Sequence, residues 1–422
     1  MYLSGGGGLR YRKGGKRTRW GRVALILIII GGLLYFNQFV VPRIPPPFLP
    51  TPTATRSPAS YAEEAEAQFA SGHLEEAIRA YQQAVQTDPT NLDYYVALAR
   101  LQVFRRDLDS AVQTAESAIL LSPDSAKAHA VKALALDWKG NYEEAANSAV
   151  NALRLDPNNA LAHAYYAEIL TDQQKWAQAN DEAKLALSLL PNSLDTHRAY
   201  GYVLESTGDY RGAVQQYEAA LAVNPNLVFL YMSVGKIYGF GLGDRNAAIE
   251  NFQKAIALDP KKPEPYSQIA QMYAGTGEYG KASQYAAQAL ELEPDNPRLH
   301  GQLGLMYYHN RNYEGAEPEL KLAVEGGVTE KGDVPAGIVV QPLPRDSRDA
   351  AEYYYTYGLD LFYGAKCDRA TQIFQDVLKT WSSNDVAAFN AQEGLRLCQE
   401  ASASATATAL APTPTHTPTP KP

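Results

Sequence analysis

The chain has 422 residues, 45% of them hydrophobic and 20% charged, so it holds ample material for a large core. Two cysteines exclude a disulfide-rich scaffold and a four-cysteine zinc site, and a net charge of -8 argues against general nucleic-acid binding. The charge is unevenly placed: residues 1–22 carry seven cations (Arg10, Arg12, Lys13, Lys16, Arg17, Arg19, Arg22) and no anion, leaving a net -15 on the other 400 residues.

The basic segment 1–22 reads as a cytoplasmic tail. Residues 23–41, VALILIIIGGLLYFNQFVV, predict a single transmembrane helix. Nineteen helical residues span about 28 Å, close to the ~30 Å hydrocarbon core of a bilayer. Trp20 and Tyr35 suit the headgroup levels. All seven cations precede the stretch, so the positive-inside bias puts the amino terminus in the cytoplasm and the rest outside. The alternative is a cleavable signal peptide. Against it, the apolar run is long and Phe36-Asn37-Gln38-Phe39 offers no small-residue cleavage site.

Residues 42–58 hold seven prolines, a composition that favours an extended linker reaching up to ~50 Å. From there a repeat sets in. Pro89, Pro123, Pro157, Pro191, Pro225, Pro260 and Pro294 are spaced 34, 34, 34, 34, 35 and 34 residues apart. With each proline as position 32, position 8 is always small: Ala65, Ala99, Ala133, Ala167, Gly201, Gly235, Ala270, Gly304. Position 20 is alanine from Ala77 to Ala316, and position 27 is alanine from Ala84 to Ala323. Position 4 is always a ring: Tyr61, Tyr95, His129, His163, His197, Tyr231, Tyr266, His300. Small residues at 8 and 20 let two antiparallel helices approach, a small residue at 27 packs one repeat on the next, and the proline ends the second helix. The one-residue slip falls in the Gly239–Gly243 turn.

This pattern resembles the tetratricopeptide repeat, and the resemblance covers most of the chain. It implies an all-α, right-handed superhelical solenoid of antiparallel helix pairs, here preceded by one transmembrane helix and of a membrane-anchored bacterial type. Eight repeats fill residues 59–330. A divergent ninth repeat and a capping helix fill 350–400, with Gly358, Ala370 and Phe374 at positions 8, 20 and 24. Between them, residues 326–349 form an insertion, either a long loop or a short hairpin over Val328–Leu343. Residues 401–422, with six threonines and five prolines, read as a disordered tail. In such a stack Cys367, at position 17, and Cys398, at the end of the cap, fall at the same edge. A disulfide is expected outside the cytoplasm, with two separately buried thiols as the alternative.

No chemistry-bearing motif survives inspection. There is no P-loop, no G-x-G-x-x-G, no H-E-x-x-H and no G-x-S-x-G. The histidines share the position-4 slot with tyrosine, which reads as packing. No catalytic, cofactor-binding or metal site is expected, and no cofactor or small-molecule substrate.

Members of the family are mostly interaction scaffolds whose first helices line a concave groove with positions 2, 5, 9, 12 and 13. Carried over residue by residue, that groove holds Arg100, Phe104, Asp137, Trp138, Arg198, Tyr202, Phe229, Met232, Lys236, Phe240, Tyr308 and His309. Aromatic and arginine side chains are good anchors for a bound protein or peptide. The basic and amide residues of the chaperone-tail-binding subgroup are missing, since Ala62 and Ala97 stand in two of their places. The expected function is therefore a membrane-anchored, non-enzymatic scaffold that binds protein partners outside the cytoplasm, in envelope assembly. The alternative is an accessory subunit of an envelope enzyme such as a glycosyltransferase system, and a third reading is a plain spacer.

Overall fold

The computed structural model describes residues 20–40, 56–330, 332 and 334–410. The basic residues before Trp20, most of the proline-rich linker and the last twelve residues lie outside these. The chain forms two units, Met1–Arg56 and Ser57–Pro422.

In the first unit, α1 (Trp20–Tyr35) continues as a π-helical turn, Phe36–Val40. Trp20–Phe39 has a mean hydropathy of 1.7, and it is the one helix among the described residues long and apolar enough to cross a membrane.

In the second unit, helices follow one another in antiparallel pairs. The first three are α2 (Pro58–Ala70) with α3 (Leu74–Thr87), α4 (Leu92–Arg105) with α5 (Leu108–Leu121), and α6 (Ala126–Trp138) with α7 (Tyr142–Leu155). Next come α8 (Ala160–Asp172) with α9 (Trp176–Leu189), α10 (Leu194–Ser206) with α11 (Tyr210–Val223), and α12 (Val228–Lys236) with α13 (Arg245–Leu258). Then α14 (Pro263–Ala274) pairs with α15 (Tyr279–Leu292), α16 (Pro297–His309) with α17 (Tyr313–Glu325), and α18 (Ala350–Tyr363) with α19 (Cys367–Thr380). The closing helix is α20 (Asp385–Leu410).

The small residues explain the pairing through a size match. Position 8 is glycine opposite a large position 24 in the fifth, sixth and eighth repeats, while the first repeat pairs Ala65 with Tyr81. A Cβ on Gly201 would lie 2.8 Å from the Tyr217 ring, on Gly235 2.5 Å from Phe252, and on Gly304 2.7 Å from Leu320. Where position 24 is alanine, position 8 is alanine too: Ala99 with Ala115, Ala133 with Ala149, Ala167 with Ala183 and Ala270 with Ala286, all fully buried or nearly so. The small residue at position 8 lets each helix pair approach closely, as dense packing requires. The position-27 alanines Ala84, Ala118, Ala152, Ala186, Ala220, Ala255, Ala289 and Ala323 are all 0% exposed.

Position 4 has a polar reason as well as a packing one. In six of the eight repeats the tip of its ring bonds the carbonyl of the proline six residues earlier. Tyr95 Oη donates to Pro89 O at 3.2 Å and Tyr266 Oη to Pro260 O at 3.2 Å. The Nε2 atoms of His129, His163, His197 and His300 lie 2.8–3.0 Å from the carbonyls of Pro123, Pro157, Pro191 and Pro294. A turn carbonyl past a helix end has no helical partner. Only a ring that carries a donor at its far end satisfies it, which is why Tyr and His share the slot.

Two local features differ from the reading of the sequence, and a third takes one of its two open forms. The one-residue slip is not a looser turn: Ile237–Gly241 forms a π-helical turn that absorbs the extra residue at the end of α12. The insertion takes the hairpin form rather than a loose loop. Strands β1 (Gly327–Val328) and β2 (Val339–Val340) pair antiparallel, and Val334, Val340 and Leu343 are buried. The last helix runs on to Leu410, ten residues into the segment read as a tail.

Candidate partner-binding site

The first helices of successive repeats lie side by side and parallel, so side chains about one repeat apart face each other. One helical turn less than the repeat gives a spacing of 30, and the inner-face bonds recur at that spacing. Trp138 Nε1 donates to Glu168 Oε2 at 3.2 Å, and Tyr165 Oη donates to Asp195 Oδ1 at 3.1 Å. Arg198 grips Glu168 with two bonds, 2.7 and 2.6 Å, and Tyr202 Oη donates to Asp172. Arg198, Glu168 and Asp195 are each under 5% exposed, so these are buried charges that are paired as burial demands.

The inner face also closes on itself. Arg100 reaches from α4 to Asp195 on α10, at 2.6 Å. The Phe104 ring lies 5.3 Å from that of Phe229, on the sixth repeat, and 6.1 Å from both Phe69 and Trp138. Arg100 stacks over Phe69 and Phe104, and Arg198 over Phe104 and Trp138, with guanidinium-to-centroid distances of 5.0–5.6 Å. Asn224 Nδ2 donates to Phe69 O at 3.0 Å and Asn226 Nδ2 to Ala70 O at 2.8 Å, across more than 150 residues of sequence. One continuous apolar cluster therefore joins the first two repeats to the fifth and sixth.

What remains open inside is a cavity of about 590 Å³. Of the twelve groove residues, Phe104, Asp137, Trp138, Arg198, Tyr202, Phe229, Met232 and Lys236 line it, together with Arg106, Tyr142, Glu168, Asp172, Glu205, Lys262 and Glu264. The others lie elsewhere. Arg100 is held in the closure. Phe240 is 62% exposed in the π-helical turn. Tyr308 and His309 belong to a separate aromatic group on the seventh to ninth repeats: His309 stacks on Tyr279 at 5.0 Å, and Tyr308 meets Tyr313 and Tyr363.

Burial sorts the eight further. Phe104, Asp137 and Arg198 are 6%, 3% and 4% exposed, so they build the wall rather than offer themselves to a ligand. The expectation that Phe104 stands free of the core is overturned, because the closure sandwiches it among Phe69, Trp138 and Phe229. Trp138, Tyr202, Phe229 and Met232 stay half-buried and Lys236 exposed. Arg106 adds a cation at the mouth, its guanidinium 4.4 Å from the centre of the Trp138 ring. It stands in the left-handed region at φ 70°, a turn position where Gly72, Gly140, Gly208 and Gly277 serve other repeats.

The acids respond to this enclosure. Burial, with Glu168 and Asp172 nearby, pushes the Asp137 carboxyl up to about 9, so it is protonated at neutral pH and hydrogen-bonds Asp172. Burial also raises Glu168, an effect that Arg198 only partly offsets. Burial alone would raise Asp195 too, but Arg100 and Arg198 outweigh it and hold its carboxyl below the usual range. A wide polar depression of about 700 Å³ over the turns near Asp88, Ser122 and Asp156 has no aromatic wall. At the other end of the solenoid, the structure joins Cys367 and Cys398 in a disulfide, with Cα atoms 5.4 Å apart. Among the described residues no group of His, Cys, Asp or Glu has the geometry to hold a metal ion.

Sequence reasoning missed Phe69, Tyr165, Glu168, Asp172 and Asp195. A signal was there: donor and acceptor side chains thirty residues apart on first helices.

Comparison with known proteins agrees with this architecture. Family profiles described as tetratricopeptide repeat match residues 68–135 and 240–300, 131–193, and 199–227. Among solved structures, the APC/C hetero-tetramer Cut9-Hcn1 is similar over 73% of this chain and 56% of its own, at 17% identity and a TM-score of 0.52. MamA, at 24% identity and a TM-score of 0.34, matches 38% of this chain and 92% of its own. A tetratricopeptide repeat protein from Parabacteroides merdae, at 16% identity and a TM-score of 0.38, matches 59% of this chain and 98% of its own. A search of curated proteins finds no match.

Proposed function

Because the chain belongs to the tetratricopeptide-repeat family, we propose that it is a non-enzymatic scaffold, anchored by residues 23–41, that gathers protein partners outside the cytoplasm in envelope assembly. The fold is typically a scaffold, and the cavity gives this one its contact point. The observation that carries the reading is the set of half-buried Trp138, Tyr202, Phe229 and Met232 around a mouth where Arg106, Lys236 and Lys262 supply cations. Rigid aromatic walls with a polar rim are how a few anchors carry most of the affinity for a peptide or helix. The seven cations before Val23 support an inward amino terminus. A Cys367–Cys398 bond in the mature protein belongs with an oxidising compartment.

The test is capture of partners by crosslinking in intact membranes, with wild type beside Trp138→Ala and Lys236→Glu. Trp138→Ala should cost at least ~2 kcal/mol of affinity, roughly a thirty-fold loss, if the ring is an anchor. Equal capture by all three, with circular dichroism unchanged, would move the binding surface away from the cavity. For topology, protease added to spheroplasts should digest the repeats, and full protection until lysis would reverse the assignment.

A further inference from the structure

In a solenoid each repeat touches its neighbours, and stability is a sum of local terms. The contact between the first two repeats and the fifth and sixth is of another kind. It joins Phe69 and Ala70 to Asn224 and Asn226, 155 and 156 residues away, and every neighbour interface in between would survive its loss. Its polar and aromatic contacts are few and sit on the apolar cluster that joins the two stretches. Two side-chain amides cap the last carbonyls of α2, one ring pair (Phe104 with Phe229) covers them, and one ion pair (Arg100 with Asp195) lies behind. The fit is close: a Cβ on Gly72 would sit 2.5 Å from Asn226 O, so the two turns meet backbone to backbone.

This contact also forms a wall of the cavity, since Phe104 and Phe229 belong to both. A space of about 590 Å³ holds one or two side chains, not a helix.

We propose that the seam between the first two repeats and the fifth and sixth is a gate, and that its opening, with every repeat still folded, admits a partner segment to the inner face. The proposal rests on the reading of the cavity as the partner site. Opening needs no local unfolding, because a small change of angle at each of four repeat junctions adds up at the ends. While the gate is shut, Phe104 and Arg100 cover the surface around Phe229, Leu230 and Asp195, so the chain masks its own aromatic face. The occupant admitted is then a protein segment of similar chemistry to what it displaces, an aromatic side chain with a guanidinium or ammonium close by.

The experiment uses the full chain with spin labels on Ser71→Cys and Val223→Cys, both exposed and on opposite sides of the seam. Asn224→Ala with Asn226→Ala removes the two amide bonds. The distance distribution should gain a population ~10 Å longer, about one helix-packing distance, while far-UV circular dichroism stays as in wild type. The wild-type chain titrated with urea should show the same longer population before helix is lost. An unchanged distribution in the double variant, or in urea a single transition shared with circular dichroism, would make the seam a fixed part of the fold and overturn the gate.

Bridging the two introduced cysteines with a short bismaleimide tests the functional half. The bridged chain should lose the partners that the unbridged chain captures. Equal capture would overturn the gate and leave the cavity standing, whereas insensitivity of capture to Trp138→Ala would remove the cavity and leave the measured opening standing.

Discussion

The first six repeats and the last three are built from the same unit and held by different means. The first six bury charge: Arg198, Glu168, Asp195 and Arg100 form an ionic centre with aromatic faces stacked on the guanidinium groups. The last three lack that ionic centre and close covalently. Tyr353, Tyr354 and Tyr357 pack in the core, a hairpin lies over α17, and the Cys367–Cys398 bond pins α20. A repeat that stacks in one dimension has two ends to protect. Here one end folds back on the middle and the other is stapled.

The contrast is breakable. Arg198→Met should do the most damage, because it leaves Glu168 buried without its cation. Losing one partner of a buried pair costs about 3–5 kcal/mol. Denaturation midpoints should fall, and hydrogen exchange should show the loss in repeats one to six and not beyond the seventh. Cys398→Ser should come second, at about 2–4 kcal/mol for a closed loop of this size, with exchange rising in α19 and α20 only. Loss of protection throughout the chain in either variant would mean that the two regions are one cooperative unit.

Both regions should respond to pH in the same direction, since burial raises the Asp360 carboxyl of the ninth repeat to about 7, but the first six repeats respond over the wider window. A carboxyl whose folded pKa is raised keeps its proton in the native state while the unfolded chain has released it, so stability falls as pH rises. Asp137, pushed up to about 9, sets that window between about pH 4 and pH 9. Its maximum slope is about 1.4 kcal/mol per pH unit. Others facing it, Glu168 and Asp172, are raised by burial and act in the same direction. His163, raised by its bond to Glu182, has its stabilising proton removed toward the upper part of the same window. Melting curves from pH 5.5 to 9 should therefore shift downward, and Asp137→Asn should flatten the shift. The smallest effect should come from Tyr95→Phe, which keeps the ring and loses only the bond to Pro89 O. About 0.5–1.5 kcal/mol is expected from chemical denaturation.

The repeat, its period and its buried alanines were all legible from the sequence, because each rests on short-range steric rules that recur every turn. Position 4 was legible as a ring but not as a donor, though the absence of Phe and Trp from all eight places said so. The insertion's hairpin was one of two open readings. The inner face was less legible. Phe104 and Trp138 occupy the same repeat position, yet one is buried and one half-exposed, because only Phe104 meets the sixth repeat. That meeting depends on a small rotation per repeat summed over four junctions, and no single residue encodes it. Arg198 was placed in the groove by its position, while its partner Glu168, at another groove position, was not singled out.

The π-helical turn at Ile237–Gly241 can be restated in the language of crystals. A stack of identical units is a one-dimensional lattice, and one additional residue in one unit is a dislocation. It lies directly after Ile237, the last residue of the cluster that closes the first six repeats. A perfect lattice would carry the same curvature into the seventh unit and direct it along the path already closed. The dislocation resets the phase there, with Gly239 against Met272 and Gly241 against Tyr210 where a side chain would not fit. Deleting one residue would restore perfect periodicity and, on this account, set closure and continuation against each other.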